Sequence, residues 1–282
     1  MSFDNFPMAS IEVSEKDFYD LVIYLRNFDI NVLGLKKSHF LRRIKTRMIR
    51  AGKKTVSEYI QFAKQNVEEQ ENLKQAFSIN VTHFFRNADT FEELKKRVFP
   101  ILTRQNGRIK IWSAGCADGA EPYTLAMIVH SLGLSSVQVK IIASDYNPES
   151  LELAKKGIYP IQYDREMPLH YKKYITMNQK ENLYEIDPQL RNYIEFRVHN
   201  LITDDLRVIG QNSYNLVLCR NVLIYFTKEQ QELIYEKFYQ ALKMEGFFVV
   251  GRSEIILGDY RTKFSLFDSN HRISRKMMKK ES

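Results

Sequence analysis

Only two cysteines occur in 282 residues, Cys116 and Cys219, and they share no metal-ligand spacing. That rules out a disulfide framework and a cysteine-based zinc site, and two reduced thiols are expected. Glycine (11) and proline (7) are too scarce for a low-complexity or fibrous chain. No stretch approaches the ~18 consecutive apolar residues that a membrane-spanning helix needs. The first ten residues, MSFDNFPMAS, lack the basic and apolar regions of a secretory signal. A cytoplasmic protein is therefore expected.

What is present is ordinary for a globular protein: 44% hydrophobic and 27% charged residues. The length suits one large domain or two modest ones, and a chain of this size buries roughly 75% of its unfolded surface without staples. Charge is more specific. Lys and Arg outnumber Asp and Glu by 42 to 34, and nine basic residues with no acid lie between Asn31 and Lys54. The rest of the chain is close to neutral, so the basic surface is local and points to an anionic partner.

Residues 14 to about 104 read as a run of helices. Ser14 is the expected N-cap of SEKDFYDLVIYL, and KKSHFLRRIKTRMIRAGKK is a helix stopped near Gly52. Thr55, followed three residues on by Glu58, has the spacing of a capping box for VSEYIQFAKQN. From Ile109 the texture changes. The apolar runs IKIWSAG, VKIIASD, YIEFRVHNL, YNLVLCRN and GFFVVGRSE alternate with helical patterns such as TKEQQELIYEKFYQALK. Runs apolar throughout predict a mostly parallel sheet covered on both faces, hence a doubly wound α/β domain. Residues at about 158–195 interrupt the alternation with short strand-like pieces, read as a small antiparallel excursion. The expected division is a helical domain over 1–104 and the sheet domain over 105–282.

Ligands of open α/β sheets lie beyond the carboxyl ends of the strands. The first strand ends at Gly115, followed by Cys116 and Gly119. Such glycines let backbone approach a nucleoside, although a tight turn that binds nothing has the same form. The spacing matches neither the dinucleotide nor the P-loop pattern, and no Lys stands at the turn, which argues against a polyphosphate. Asp145 ends the second strand, where an acid accepts hydrogen bonds from ribose hydroxyls or caps the helix PESLELAKK. Asn200 and Asn221 follow two later strands, as partners for an adenine or ribose or as turn residues. Together these residues describe a pocket for an adenosine without phosphates, for which S-adenosylmethionine is the obvious candidate.

The segments WSAGCADGAEPYTLAM, IIASDYN, HNL and LVLCRNVLIYF resemble, in that order, the motifs of the CheR family of chemotaxis receptor glutamate methyltransferases. SINVTHFFRN resembles that family's T-x-N-x-T-x-F-F-R segment, and GRSE its closing strand. The resemblance runs from about Phe18 to Phe267. It implies a Rossmann-like methyltransferase domain that binds S-adenosyl-L-methionine, releases S-adenosyl-L-homocysteine and uses no metal. By likeness, Asn80, Thr82, Arg86, Glu121, Asp145, Asn200, Leu201, Arg220 and Asn221 contact the cofactor. The family commonly has two adjacent acids before the proline; here Ala120 precedes Glu121, and the role falls to Glu121. His83 has no family role and is expected to face solvent or the core edge, with Phe84 and Phe85 in the core.

The implied reaction is methyl transfer to a glutamate side chain. With a pKa near 4.3, roughly all of that carboxylate is ionised at neutral pH, so no general base is needed. Positioning remains. Arg86, with its planar pair of donors, and Tyr225, four residues after Asn221, are the candidates to place the carboxylate. Arg43, Arg47 and Arg50, at i, i+4 and i+7, share a helical face that would attract an acidic receptor coiled coil. The excursion corresponds to the family's β-subdomain, which in some members docks a receptor's C-terminal peptide by strand addition. A monomer without nucleic-acid partner or membrane insertion is expected. Two other readings are a nucleic-acid methyltransferase, against which the chain lacks the N/D-P-P-Y/F/W motif and a P-C cysteine, and a silent cofactor-binding signalling module.

Overall fold

The computed structural model describes residues 11–26, 37–77, 82–105 and 107–277. Two compact units divide the chain: Met1–Ile79 with Tyr225–Thr227, and Asn80–Ile224 with Lys228–Ser282.

The first unit is helical: α1 (Glu15–Arg26), α2 (Lys37–Arg50), α3 (Val56–Gln65) and α4 (Val67–Phe77). Two of the starts are written in side chains. Ser14 Oγ accepts the Asp17 N–H at 3.1 Å while Asp17 accepts the Ser14 N–H at 3.0 Å. Thr55 and Glu58 make the expected reciprocal pair. Phe40, Ile44 and Met48 of α2 are fully buried with Leu21, Leu25, Tyr59, Ala63 and Leu73. Each such side chain contributes about 1.5–3 kcal/mol relative to exposure.

The second unit contains helices α5 (Ala88–Glu93), α6 (Phe99–Thr103), α7 (Ala120–Ser131), α8 (Pro148–Lys156), α9 (Pro188–Arg191), α10 (Lys228–Ala241) and α11 (Tyr260–Lys263). Its strands are β1 (Ile109–Ala114), β2 (Val139–Asp145), β3 (Ile158–Pro160), β4 (Ile175–Asn178), β5 (Leu183–Ile186), β6 (Ile194–Val198), β7 (Tyr214–Cys219), β8 (Leu242–Val250), β9 (Phe264–Asp268) and β10 (Ile273–Lys276). The main sheet has the order β6-β2-β1-β7-β8-β10-β9. Its first five members pair in parallel, and β10 and β9 add an antiparallel edge. The chain moves outward from β1 through β2 to β6, then returns to the other side of β1 at β7, which puts the topological switch point between β1 and β7. The uniformly apolar strand texture is explained by burial on both faces; all six residues of β7 are buried.

The excursion is a three-stranded antiparallel sheet, β3-β5-β4. NYIEF is not part of it: Ile194–Val198 is a parallel neighbour of β2 in the main sheet. Among the described residues, no helix is long and apolar enough to cross a membrane.

Candidate active site

Parallel pairing brings the carboxyl ends of β6, β2, β1 and β7 to one edge of the sheet, and with them Asn200, Asp145, Gly115 and Asn221. Gly115 adopts φ +70°, and a Cβ on it would stand 2.7 Å from Val222 Cγ2. Gly119 adopts φ +91°, and a Cβ there would stand 2.7 Å from Ala154 Cβ. No side chain fits either place, so the turn into α7 needs both glycines. Ser144 O accepts the N–H groups of Gly115 and Cys116 at 2.8 and 2.9 Å.

Asp145 is tied to the same turn. Its Oδ2 accepts the Ala117 N–H at 2.9 Å and its Oδ1 the Asn147 N–H at 3.0 Å. Burial pushes its pKa up, opposed by these two N–H bonds. The N-cap of α8 is Asn147, whose side chain accepts the Glu149 N–H, and not Asp145. The neighbouring Asp118 accepts from Tyr163 Oη, and burial pushes its pKa up to about 6.

Beyond β7, Arg220 is 8% exposed and spans three segments. It donates to Arg86 O at 2.6 Å, Asn87 Oδ1 at 3.0 Å and Glu121 Oε2 at 3.3 Å, and its guanidinium lies over the Phe91 ring. Glu121 also accepts from Ser113 Oγ at 2.8 Å. Thus Glu121 holds the turn and the buried arginine together, with Ala120 fully buried beside it. Asn221 has φ 59°, and its Oδ1 is buried without a partner among the described residues. Sequence reasoning missed what fixes this bend. The buried Glu254, in GRSE, accepts the N–H groups of Asn221 at 2.8 Å, Ile224 at 3.2 Å and Gly251 at 2.5 Å.

Asn200 Oδ1 accepts the Ile202 N–H at 2.9 Å, so its carbonyl serves the turn. Leu201 is 7% exposed. Lys237 of α10 donates to the carbonyls of Leu201, Ile202 and Asp204, each at 2.8 Å, and so clamps this loop. Nothing in the spacing of α10 signals that role.

Asn80 lies outside the described residues. Thr82 and Arg86 are half-buried, and Arg86 stands in the turn Phe84–Asn87. His83 differs from a solvent-facing histidine: it is 4% exposed and bonded at both ring nitrogens, to Glu166 and Arg165. Phe84 and Phe85 are fully buried, as expected. Tyr225 groups with the helical unit, where the Arg43 guanidinium lies 5.1 Å from its ring centroid.

The arginine stripe of α2 is not uniform. Arg50 is exposed and Arg43 half-buried, donating to Ala76 O at 3.0 Å. Arg47 corrects the expectation of a common outward face: it turns inward onto Glu69, with Nε 3.0 Å from Oε1, and Tyr59 Oη donates to the same carboxylate. The reason is angular. Arg47 follows Ile44 by three residues and Phe40 by seven, at the border of the buried stripe, so its stem runs along the core edge within reach of Glu69.

The donor set fits an adenosine bearing a sulfonium. Carboxylate and amide oxygens surround a glycine turn, no Lys or Arg lies between Ser113 and Glu121 to cradle phosphate, and one buried carbonyl lacks a donor. The one group of possible metal ligands among the described residues is Glu93, Asp268 and His271. Arg97 already pairs with Glu93 and Asp268 at 2.6 and 3.0 Å.

Residues 80–273 match the family described as CheR methyltransferase, SAM binding domain. The chain belongs to the CheR methyltransferase family. Its S-adenosylmethionine-binding domain therefore covers every residue of the sheet edge described above. The chain is similar to several proteins that carry the name chemotaxis protein methyltransferase. That of Listeria monocytogenes is 32% identical over 245 residues, covering 86% of this chain and 91% of its own. That of Borreliella burgdorferi is 30% identical over 267 residues, with coverages of 90% and 93%. Methyltransferase 1 of Pseudomonas aeruginosa is 32% identical over 257 residues, with coverages of 87% and 92%. This CheR-family chain is an S-adenosylmethionine-dependent methyltransferase of chemotaxis.

Proposed function

We propose that the protein methylates glutamate side chains on the cytoplasmic helical domain of chemotaxis receptors, giving glutamate methyl esters. The observation that carries the reading is the Ala117–Asp145 bond, which joins the glycine turn to the strand-end acid inside a family-matched domain, at a turn that holds no Lys or Arg between Ser113 and Glu121.

S-adenosylmethionine, when bound, supplies an electrophilic methyl group. Asp145 offers its remaining lone pairs to the ribose hydroxyls, and Asn221 Oδ1 offers an acceptor. Gly115 lets backbone come close, and Thr82, Glu121, Asn200, Leu201 and Arg220 shape the same edge, with Asn80 assigned by family likeness. Arg86 orients the substrate carboxylate with its paired donors, and Tyr225 is the second candidate for that role. No general base is required, because the glutamate nucleophile is already ionised; well-oriented reactants supply about 7–11 kcal/mol of barrier reduction. Arg43 and Arg50 on α2 attract the acidic receptor coiled coil, while Arg47 holds the helix through Glu69. An edge of the small sheet at β4 suits strand addition by a receptor's C-terminal peptide.

The test begins with calorimetric titration of S-adenosylmethionine and S-adenosylhomocysteine; absence of binding to both would leave only a docking role. Transfer of tritiated methyl to receptor-containing membranes, released by mild base as expected for an ester, supports the reading. Label on nucleic acid instead would overturn it.

A further inference from the structure

Arg86 is flanked by two non-glycine residues with left-handed backbone, Phe85 at φ 55° and Asn87 at φ 62°. Each costs on the order of 1–3 kcal/mol and persists only where its surroundings over-determine it. Three segments do so here. From α7, Thr124 Oγ1 accepts the Phe85 N–H at 3.0 Å. From the end of β7, Arg220 donates to Arg86 O and to Asn87 Oδ1. From the stretch after β3, Tyr163 O accepts the Phe84 N–H at 3.0 Å, and Glu166 grips both sides of Arg86. One Glu166 oxygen accepts the Asn87 N–H at 2.6 Å, and the other lies 2.8 Å from His83 Nε2.

The His83 tautomer follows from its partners. Arg165 lies 2.7 Å from Nδ1, and a guanidinium only donates, so Nδ1 holds a lone pair and Nε2 carries the proton given to Glu166. Burial lowers the pKa of His83 and keeps the ring neutral, as that pattern requires. β3 and the stretch after it also hold the glycine turn: Tyr159 Oη donates to Asp118 O at 2.7 Å and Tyr163 Oη to the Asp118 carboxylate. The entry to the small sheet is thereby bonded to both the Arg86 turn and the glycine turn.

We propose that Glu166 is a positioning residue for methyl transfer, fixing His83 and Asn87 on either side of Arg86 and so setting where its guanidinium stands. This rests on the reading of Arg86 as the group that orients the substrate carboxylate. The Glu166 side chain is 39% exposed, so its loss removes little core and its effect on turnover separates from its effect on folding. It follows that whatever docks on the small sheet acts on a segment joined to the catalytic turn.

The test is a double-mutant cycle in the full chain: Glu166→Ala, Arg86→Ala and both together, with Glu166→Gln as a milder variant. Turnover, both KM values, S-adenosylhomocysteine affinity by calorimetry and Tm are measured for each. Glu166→Ala is expected to lower kcat about 10-fold, within the range that small misplacements produce, with product affinity changed less than about threefold. In the Arg86→Ala background it should cost nothing further, and Glu166→Gln, which keeps one acceptor, should recover part of the loss. Full turnover in Glu166→Ala, or an equal loss with and without Arg86, overturns the proposal. Normal turnover in Arg86→Ala alone would instead remove the reading of Arg86. Should Glu166→Ala fail to fold, the same cycle run with Glu166→Gln decides by the same criterion.

Discussion

The carboxylate of Glu254, 4% exposed, accepts the backbone N–H of Asn221 at 2.8 Å and thereby holds that residue at φ 59°. Two residues far apart in the chain thus make one bend at the switch point. Glu254→Ala leaves three N–H groups without their acceptor, and each buried orphan costs about 1–3 kcal/mol. The expected result is a marked loss of Tm together with at least about tenfold weaker S-adenosylhomocysteine binding, if Asn221 serves the cofactor as proposed. Calorimetry on the folded fraction checks it, and unchanged affinity would separate the bend from the cofactor.

Arg47 and Glu69 form a buried pair with Tyr59, their side chains 11% and 6% exposed. Removing one partner of such a pair costs about 3–5 kcal/mol, because the other charge stays buried. Chemical denaturation of Arg47→Ala should show a loss of that order. Arg50, on the exposed side of α2, should change stability by less than about 0.5 kcal/mol when replaced by Ala. Its effect belongs in receptor KM, and that effect should shrink as salt is raised past the physiological range. Equal destabilisation by both changes would contradict this assignment.

Arg86→Ala should lower kcat about a hundredfold with a smaller change in cofactor affinity, since positioning rather than binding is lost. Tyr225→Phe keeps the ring beneath Arg43 and removes only the hydroxyl, so it should reduce kcat. Steady-state kinetics with receptor membranes read both, and wild-type turnover in the pair would take them out of the mechanism.

Asp118 gives a pH signature. Burial pushes its pKa from 3.8 up to about 6, so the folded state favours the protonated acid. For a raised acid, the stabilising contribution is fully present below the unfolded value and is lost as pH rises through about 6. His83 has the opposite sign, since its lowered pKa removes stability as pH falls below its ordinary value. Asp118→Asn isolates the first contribution, because Asn still accepts from Tyr163. The variant should be more stable than wild type at pH 7 to 8, on the order of 1–3 kcal/mol, and the difference should vanish toward pH 4. A pH-independent difference would mean that Asp118 does not titrate as described.

The sequence by itself determined the helix caps at Ser14 and Thr55, the parallel sheet and the glycine turn. Caps, uniformly apolar strands and forced glycines are local, and each leaves its mark within a few residues. The strand-end positions of Gly115, Asp145, Asn200 and Asn221 were legible for the same reason. Only the tertiary structure decided which groups serve those residues. Glu254, Lys237, Glu166 and Arg220 reach their partners across 30 to more than 100 residues of chain, and no periodicity encodes a contact of that separation. Arg47 shows the limit from the other side. Its spacing with Arg43 and Arg50 was plain, but whether a side chain at the edge of a buried stripe turns out to solvent or in to an acid depends on Glu69, which a different helix supplies.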